Sequence, residues 1–424
     1  MELSACVYLC YQCSSVVYSP SVLPLDCGQE FDATRDEVFF GAIPSRPAVF
    51  LVESSLAGAQ PYLARTADLR RRLERLLGAP QPHSKRLNLR EVAARVRYRL
   101  TASPFEQVLT MYQQARALFP GRYRDFLRLR PPAMLKLNLR NEYPRCYVSR
   151  RILADQALYV GPFPSRKFAE SYANEFLNLF KIRRCQIKIR RDPAFPGCIY
   201  SEMKMCLAPC FAGCSKPEYD VEVSRVRGFL ESSGESLRAE FEQEREAASQ
   251  ALDFERASAV HKKVDKVAGI LRGVPDLPRP VEELTAAILQ PAAEQQTVAI
   301  FVVRSGHIAD PFFLRFKELQ SEPRSIEEIL REQLGSAEAA AGAAVPDSGP
   351  AAIDADDGQR RRLDVLSEHL SLLARWYYGK PRTGEIFYPQ AARGVSGKSE
   401  WPVRRIIRAC SRILNPPADT APAG

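Results

Sequence analysis

The sequence predicts an α+β, multidomain protein, and three observations carry that expectation. Its 424 residues exceed what one small core organises and suit about two to four domains. Apolar runs of strand length, such as Ala48-Val49-Phe50-Leu51-Val52, alternate with stretches in which apolar residues recur every three or four positions. Five of the 11 cysteines crowd between Cys185 and Cys214, a local density that points to a metal-type centre in a region of its own.

Taken in order, residues 1–35 read as an N-terminal extension, opening on an apolar stretch over 1–18 that carries Cys6, Cys10 and Cys13 and reads as having little structure of its own. That stretch has no basic segment ahead of it and no clear small-residue cleavage pattern, so a cytoplasmic location is expected. Residues 36–135 form a small α/β domain. Its elements are the strand at 48–52, a second near Tyr62-Leu63, a basic helix over 68–76 and a helical stretch from Pro104 to about Leu129. In the basic helix Leu69, Leu73 and Leu76 share one face, so its arginines point mostly elsewhere.

Residues 136–217 hold short strands at Tyr147-Val148-Ser149 and Leu158-Tyr159-Val160, a helix over 167–180 and the cysteine cluster. Residues 218–272 are charged and helical. One helix spans about 235–250, and Asp253 is placed to cap a second in which Phe254, Ala257, Val260, Val264 and Val267 make one apolar stripe. Residues 273–335 form a small α/β region in which Ser305-Gly306-His307 joins two apolar runs into a hairpin. An Ala/Gly/Pro/Asp-rich linker over 336–359, expected to be disordered, precedes a mixed C-terminal region that reads as helical over 360–415, with a tail over 416–424.

The formal charge of +10 comes from 60 basic and 50 acidic residues. Residues 65–99 hold eleven Lys/Arg against three Asp/Glu, and residues 122–151 nine against two. Such tracts are either a solvated basic surface or a contact to a polyanion, nucleic acid first among them. No apolar run reaches the ~18 residues of a spanning helix, so no membrane partner is expected. The odd number and uneven placement of the cysteines argue against a secreted disulfide framework.

Cys185, Cys198, Cys206 and Cys210 follow a C-x12-C-x7-C-x3-C spacing. Four thiolates suit tetrahedral zinc or an iron–sulfur cluster, and spacing alone does not choose between them. The wording around them is informative. Met205-Cys206-Leu207-Ala208-Pro209-Cys210 resembles the RCLAPC element of the bacterial UvrC excinuclease family. Glu142-Tyr143-Pro144, Tyr159-Val160-Gly161-Pro162-Phe163-Pro164-Ser165, Phe180-Lys181-Ile182-Arg183-Arg184-Cys185 and Gly197-Cys198-Ile199-Tyr200 resemble further elements of that family, over roughly residues 142–270. The resemblance implies a [4Fe–4S] cluster on Cys185, Cys198, Cys206 and Cys210. Ala251-Leu252-Asp253-Phe254-Glu255-Arg256-Ala257 resembles the UVR motif through which UvrB and UvrC proteins associate. This implies a UvrB-like partner docking on Leu252, Phe254, Ala257, Val260 and Val264, although His261-Lys262 stands where the family usually shows Arg-Asp.

The family's first domain is a GIY-YIG nuclease, and here the resemblance implies a degenerate copy. Phosphodiester hydrolysis there uses a tyrosine that helps activate water, an arginine that stabilises charge on phosphate and a glutamate that holds a divalent cation. Tyr62 and Arg72 keep the catalytic spacing, whereas Phe50 and Ala64 replace a tyrosine and a glycine. The metal-binding position falls on Met111 or Arg122, neither of which binds a cation, and leaves Glu106 as the substitute. The family's RNase-H-like Asp/Asp/His set has no counterpart, with Asp310, His307 and His369 expected to be isolated and structural. The reading is therefore a DNA-binding protein of nucleotide excision repair or a related DNA transaction, holding phosphate through Arg65, Arg70, Arg71, Arg72 and Arg75 without incising. The alternative is an active, cation-dependent endonuclease; a third is an iron–sulfur redox or sensing protein.

Overall fold

The apolar run at 48–52 becomes an inner strand of an antiparallel sheet. The computed structural model describes residues 23–80, 85–319, 321–339, 355–391 and 399–415. Its first elements are β1 (Cys27–Glu30), α1 (Asp36–Ala42), β2 (Ala48–Ser54), β3 (Tyr62–Thr66), α2 (Leu69–Leu77) and β4 (Ala93–Leu100), with strand order β1-β4-β2-β3. Successive strand residues point to opposite faces. Ala48, Phe50 and Val52 meet Leu69, Leu73 and Leu76 of α2 and Phe39 of α1. Val49 and Leu51 face the other way, into a core built on Phe105, Val108 and Leu109 of α3 (Pro104–Leu118).

After α4 (Tyr123–Leu127) comes a second sheet, whose strands include β5 (Ala133–Leu137), β6 (Cys146–Ser149) and β7 (Leu158–Phe163). It is covered by α5 (Arg166–Leu177); the cysteine loops carry the short α6 (Ile199–Glu202), and α7 (Lys216–Glu231) follows. Then come the paired helices α8 (Glu235–Gln250) and α9 (Phe254–Arg272), and β8 (Arg279–Pro280) closes the order β6-β5-β7-β8. Phe163, Phe176 and Phe229 lie at the centre of this unit, each 2 % exposed or less.

The third sheet runs β11-β10-β9-β13, with β12 also paired to β10. Its strands are β9 (Ala286–Pro291), β10 (Thr297–Arg304), β11 (His307–Ile308), β12 (Phe312–Arg315) and β13 (Glu385–Phe387). The helices between them are α10 (Phe316–Leu319), α11 (Ile326–Ala339) and α12 (Ala355–Tyr378), and the chain ends on β14 (Gln390–Ala391), β15 (Ser399–Glu400) and α13 (Val403–Leu414). One face packs on Leu330 and Leu334 of α11 and Ile406, Ala409 and Cys410 of α13. The other, through Ile288, Phe301 and Val303, shares the α3 core with Val49 and Leu51.

Thus α3 is sandwiched between the first and third sheets, and α12 seals it with a polar contact. The Glu368 carboxylate, on α12, accepts from Tyr112 Oη, Tyr123 Oη and Arg124 Nε, each at 2.7 Å. Next to it, His369 Nδ1 accepts the Ile308 N–H at 3.0 Å.

Several expectations change. Residues 23–35 join the first domain: Leu23 and Leu25 are 5 % exposed, and β1 pairs with β4. Residues 1–22, with Cys6, Cys10 and Cys13, lie outside the described residues, as do 340–354 of the expected linker and the tail over 416–424. The linker's flanks belong to α11 and α12. β4 was hidden in the basic tract because Arg95, Arg97 and Arg99 alternate with Val96 and Tyr98. The C-terminal region is not wholly helical, since β13 pairs with β9. α7 belongs to the middle core through Tyr219, Val226 and Phe229, so the helical hairpin begins at α8. His307 and His369 are not isolated either; their rings stand edge-to-face at 5.8 Å.

Burial, reinforced by the charges of His307 and Arg116, pulls His369 down to about 3. The folded imidazole is therefore neutral, while the unfolded one titrates near 6.5. Its contribution is intact above pH ~6.5 and is lost as the pH falls from there toward 3, by about 2 kcal/mol at pH 5. Chemical denaturation of His369→Asn, whose amide oxygen can take the Ile308 N–H, is expected to show a correspondingly flatter loss of stability between pH 7 and 5.

Candidate functional site

On the α2 side of the first sheet, register sets which side chains meet. Tyr62 stands opposite Val52 and Ala64 opposite Phe50, so both share the face that packs on α2. α2 itself starts where Asp68 accepts the Arg71 N–H at 2.9 Å, a side-chain cap that satisfies a free helix donor. One turn on, Arg72 Nη2 donates to Tyr62 Oη at 2.9 Å. The two retained residues are thus together, as their spacing predicts.

The remaining arginines divide. Arg71 and Arg75 are exposed. Arg70 instead donates to the Ile43 and Gly41 carbonyls at 2.6 and 3.3 Å, closing the C-terminal end of α1. Arg65 pairs with Val49, which puts it on the opposite face from Tyr62. There its charge adds to burial in pulling the Arg375 guanidinium below its usual value.

Glu106 is separated from Tyr62 and Arg72 by the sheet. Its carboxylate accepts the Ala102 N–H at 3.1 Å and pairs with Arg99 Nε at 3.6 Å, and Arg99 sits opposite Val49 on the α3 side. Glu106 is 1 % exposed, and burial holds its carboxyl above the usual range despite Ala102 and Arg99. Met111 is packed in the α3 core at 5 % exposure, and Arg122 precedes α4. Glu106 thus stands with α3 on the opposite side of the sheet from Tyr62 and Arg72.

The middle unit arranges the thiols. Arg183 is buried and holds the loop before Cys185: Nε donates to the Tyr143 carbonyl at 2.8 Å and Nη1 to that of Ile187 at 2.7 Å. Its own N–H donates to Tyr219 Oη at 2.9 Å, and that hydroxyl donates to the Pro144 carbonyl at 2.7 Å. Cys198 precedes α6 and follows Gly197, which is left-handed with a φ of +88° and where a Cβ would meet Ser201 Oγ at 2.8 Å. Lys204, Ala208 and Ala212 are also left-handed, with φ of 55, 55 and 62°, a conformation that non-glycine residues hold only under local constraint.

This folding brings the predicted thiols into one neighbourhood. The Cys206 thiol is pushed up to about 11 by burial first, with the Ala208 N–H opposing and Cys185, Cys198 and Cys210 adding to the rise. The Ala208 N–H donates to Cys206 Sγ at 3.3 Å. Arg184 Nε is buried without a partner, and Cys206 is among the groups acting on its charge. An orphaned cation donor and an N–H aimed at sulfur both fit an anionic thiolate centre. Among the described residues, no group of three or more His, Cys, Asp or Glu side chains is placed to hold a metal ion. Cys214 is 7 % exposed and packs in the middle core, where Cys210 is among the groups acting on its thiol.

The hairpin's apolar stripe is split. Val260 is 1 % exposed and Val264 packs beside it, both turned into the middle core, with Ala257 half-buried. Leu252 and Phe254, at the tip, are 72 % and 67 % exposed. Of the expected stripe and turn, the tip stays exposed, because the hairpin spends its inner half on its own fold.

Residues 133–229 match the family model for the UvrC/Cho excinuclease middle domain, from β5 to near the end of α7. Among curated proteins, UvrABC system protein C of Oleidesulfovibrio alaskensis is 25% identical over 310 residues, 71% of this chain and 43% of that protein. That of Clostridium tetani is 23% identical over 301 residues, 70% and 48%. That of Yersinia pseudotuberculosis is 27% identical over 230 residues, 54% and 37%. The chain spans less than half the length of these relatives. No solved structure matches it. No helix among the described residues is long and apolar enough to cross a membrane.

Proposed function

From this similarity to UvrABC system protein C, we propose that the chain is a UvrC-like DNA-binding protein of nucleotide excision repair or a related DNA transaction that does not itself incise. The observation that carries the second half is the burial of Glu106 across the sheet from Tyr62 and Arg72. Cation-assisted cleavage needs the carboxylate, the arginine and the tyrosine around one phosphate, and loss of the cation removes several kcal/mol of charge stabilisation. Arg72, held by Tyr62, then serves as a phosphate contact, with the exposed Arg71 and Arg75 beside it on α2.

The four thiols Cys185, Cys198, Cys206 and Cys210 are the ligand set for a [4Fe–4S] cluster, with zinc as the alternative. When bound, such a cluster supplies a rigid anionic brace between loops. The chain contributes the Ala208 N–H and the Arg184 guanidinium as donors toward that charge, and Arg183 fixes the approach to Cys185. At the far end, Leu252 and Phe254 offer the hairpin tip to a UvrB-like protein.

Three experiments test these parts. Purified protein with Mg2+ or Mn2+ is expected to leave damaged duplex uncut, while Arg71→Ala and Arg75→Ala each weaken duplex binding and lower the salt slope by about 1; cation-dependent nicking lost in Tyr62→Phe would establish the endonuclease instead. Anaerobic purification is expected to yield iron and acid-labile sulfide, both lost with a lowered melting temperature in Cys206→Ala, since such binding energy is folding energy; zinc alone would count against the cluster. Phe254→Ala should cut affinity for a UvrB-like protein about tenfold with melting unchanged, whereas Val260→Ala should cost about 1 kcal/mol or more of stability.

A further inference from the structure

The end of α12, β13 and the start of α13 enclose a recess of 290 Å³ whose lining includes Asp276, Tyr377, Arg382, Glu385, Tyr388 and Arg405. Three guanidinium groups lie on aromatic rings around it. Arg279 is 3.6 Å from the Tyr388 ring centre, Arg382 4.8 Å from that of Tyr377 and Arg405 5.9 Å from that of Phe387. The charge balance is positive, because Glu385 is already taken: its two oxygens accept from Arg412 Nη2 at 2.8 and 2.7 Å. That leaves Asp276 against Arg382 and Arg405 along the wall.

Two donors are left over. Tyr388 Oη and Arg279 Nε are buried with no hydrogen-bond partner, and an unmatched buried donor costs about 1–3 kcal/mol. Both call for an acceptor oxygen. The positive character also continues outward along α13, where Val403, Ile406, Ala409 and Cys410 are buried while Arg404, Arg405 and Arg408 are exposed.

We propose that this recess and the outer face of α13 bind a single strand of nucleic acid. An unpaired base stacks against Tyr377 and Arg382, and its phosphate oxygens take the Tyr388 hydroxyl and the Arg405 guanidinium, with Arg279 adding positive charge behind the Tyr388 ring. Aromatic and arginine planes beside a basic track are the general means of holding unpaired bases, because every base has a π-face and every linkage a charge. Duplex DNA does not suit the recess, since its bases already stack on one another. The site is separate from α2 and does not rest on the first-domain reading.

The test is fluorescence anisotropy with a labelled oligothymidylate of about 12 nucleotides, the same strand annealed to its complement, and thymidine monophosphate as competitor. Arg382→Ala and Arg405→Ala change exposed side chains and are expected to weaken single-strand binding by about tenfold each. Tyr388→Phe keeps the ring that Arg279 stacks on and is expected to weaken it a few-fold. Duplex affinity should stay as in the parent, and equal melting temperatures establish that the variants fold. Single-strand affinity unchanged in all three variants overturns the proposal, as does a recess that takes thymidine monophosphate as tightly as the oligonucleotide. Failure of the first-domain reading would appear on different variants, Arg71→Ala and Arg75→Ala, and on duplex.

Discussion

β2 is buried on both faces, and what the first domain can do follows from that. A strand covered on one side offers its other side to solvent and substrate; this one is covered by α2 on one side and by α3 on the other. Any residue reaching the sheet from α3 therefore ends on the far side from Tyr62 and Arg72. Glu106 is the case that matters: its oxygens serve the Ala102 N–H and Arg99, both within the α3-side core. Moving it to the α2 side would mean crossing a fully paired sheet, which no side-chain rotation accomplishes.

The same packing joins parts of the chain that the sequence separates. α3 carries Phe105 into contact with Phe301 of the third sheet and Trp376 of α12, at ring distances of 5.1 and 5.5 Å. Glu368 then draws in Tyr112, Tyr123 and Arg124. A buried carboxylate is stable only when donors surround it, and removing one of them exposes the rest to the full cost of desolvation. The first and third sheets are consequently one body. The third sheet is thereby recruited to support the first, and its two inner strands have little room for chemistry: β9 and β10 contain no Asp, Glu or His.

What the sequence made legible was local. The 48–52 strand, the basic helix that starts at Asp68 and the Tyr62–Arg72 pair follow from patterns within a dozen or so residues. Partition of faces was not legible, because it depends on which strands pair. Arg65 looked like a companion of Arg72, yet its pairing with Val49 sends it to the other face; Arg70 looked like a free cation, yet it closes α1. β4 and β13 were missed for opposite reasons, one because alternating arginines masked its strand period and the other because it is only three residues long. The stacked arginines around Tyr388 had no sequence signature at all, since they come from β8, the α12–β13 turn and α13.

The hairpin illustrates how one sequence pattern divides between folding and binding. Period alone puts Phe254, Ala257, Val260, Val264 and Val267 in a single stripe, but the tip projects past the middle core while the base leans on it. Val260 and Val267 are 1 % and 0 % exposed, so they contribute to stability and are unavailable to another chain. Leu252 and Phe254 remain outside, on a turn where Leu252 has a φ of 56°. A tight turn with a left-handed leucine keeps two large apolar side chains in water, which neither the local backbone nor the core favours. The stripe's sequence is thus uniform, and only the height of the hairpin above its supporting core decides which residues are buried in the fold and which stay exposed.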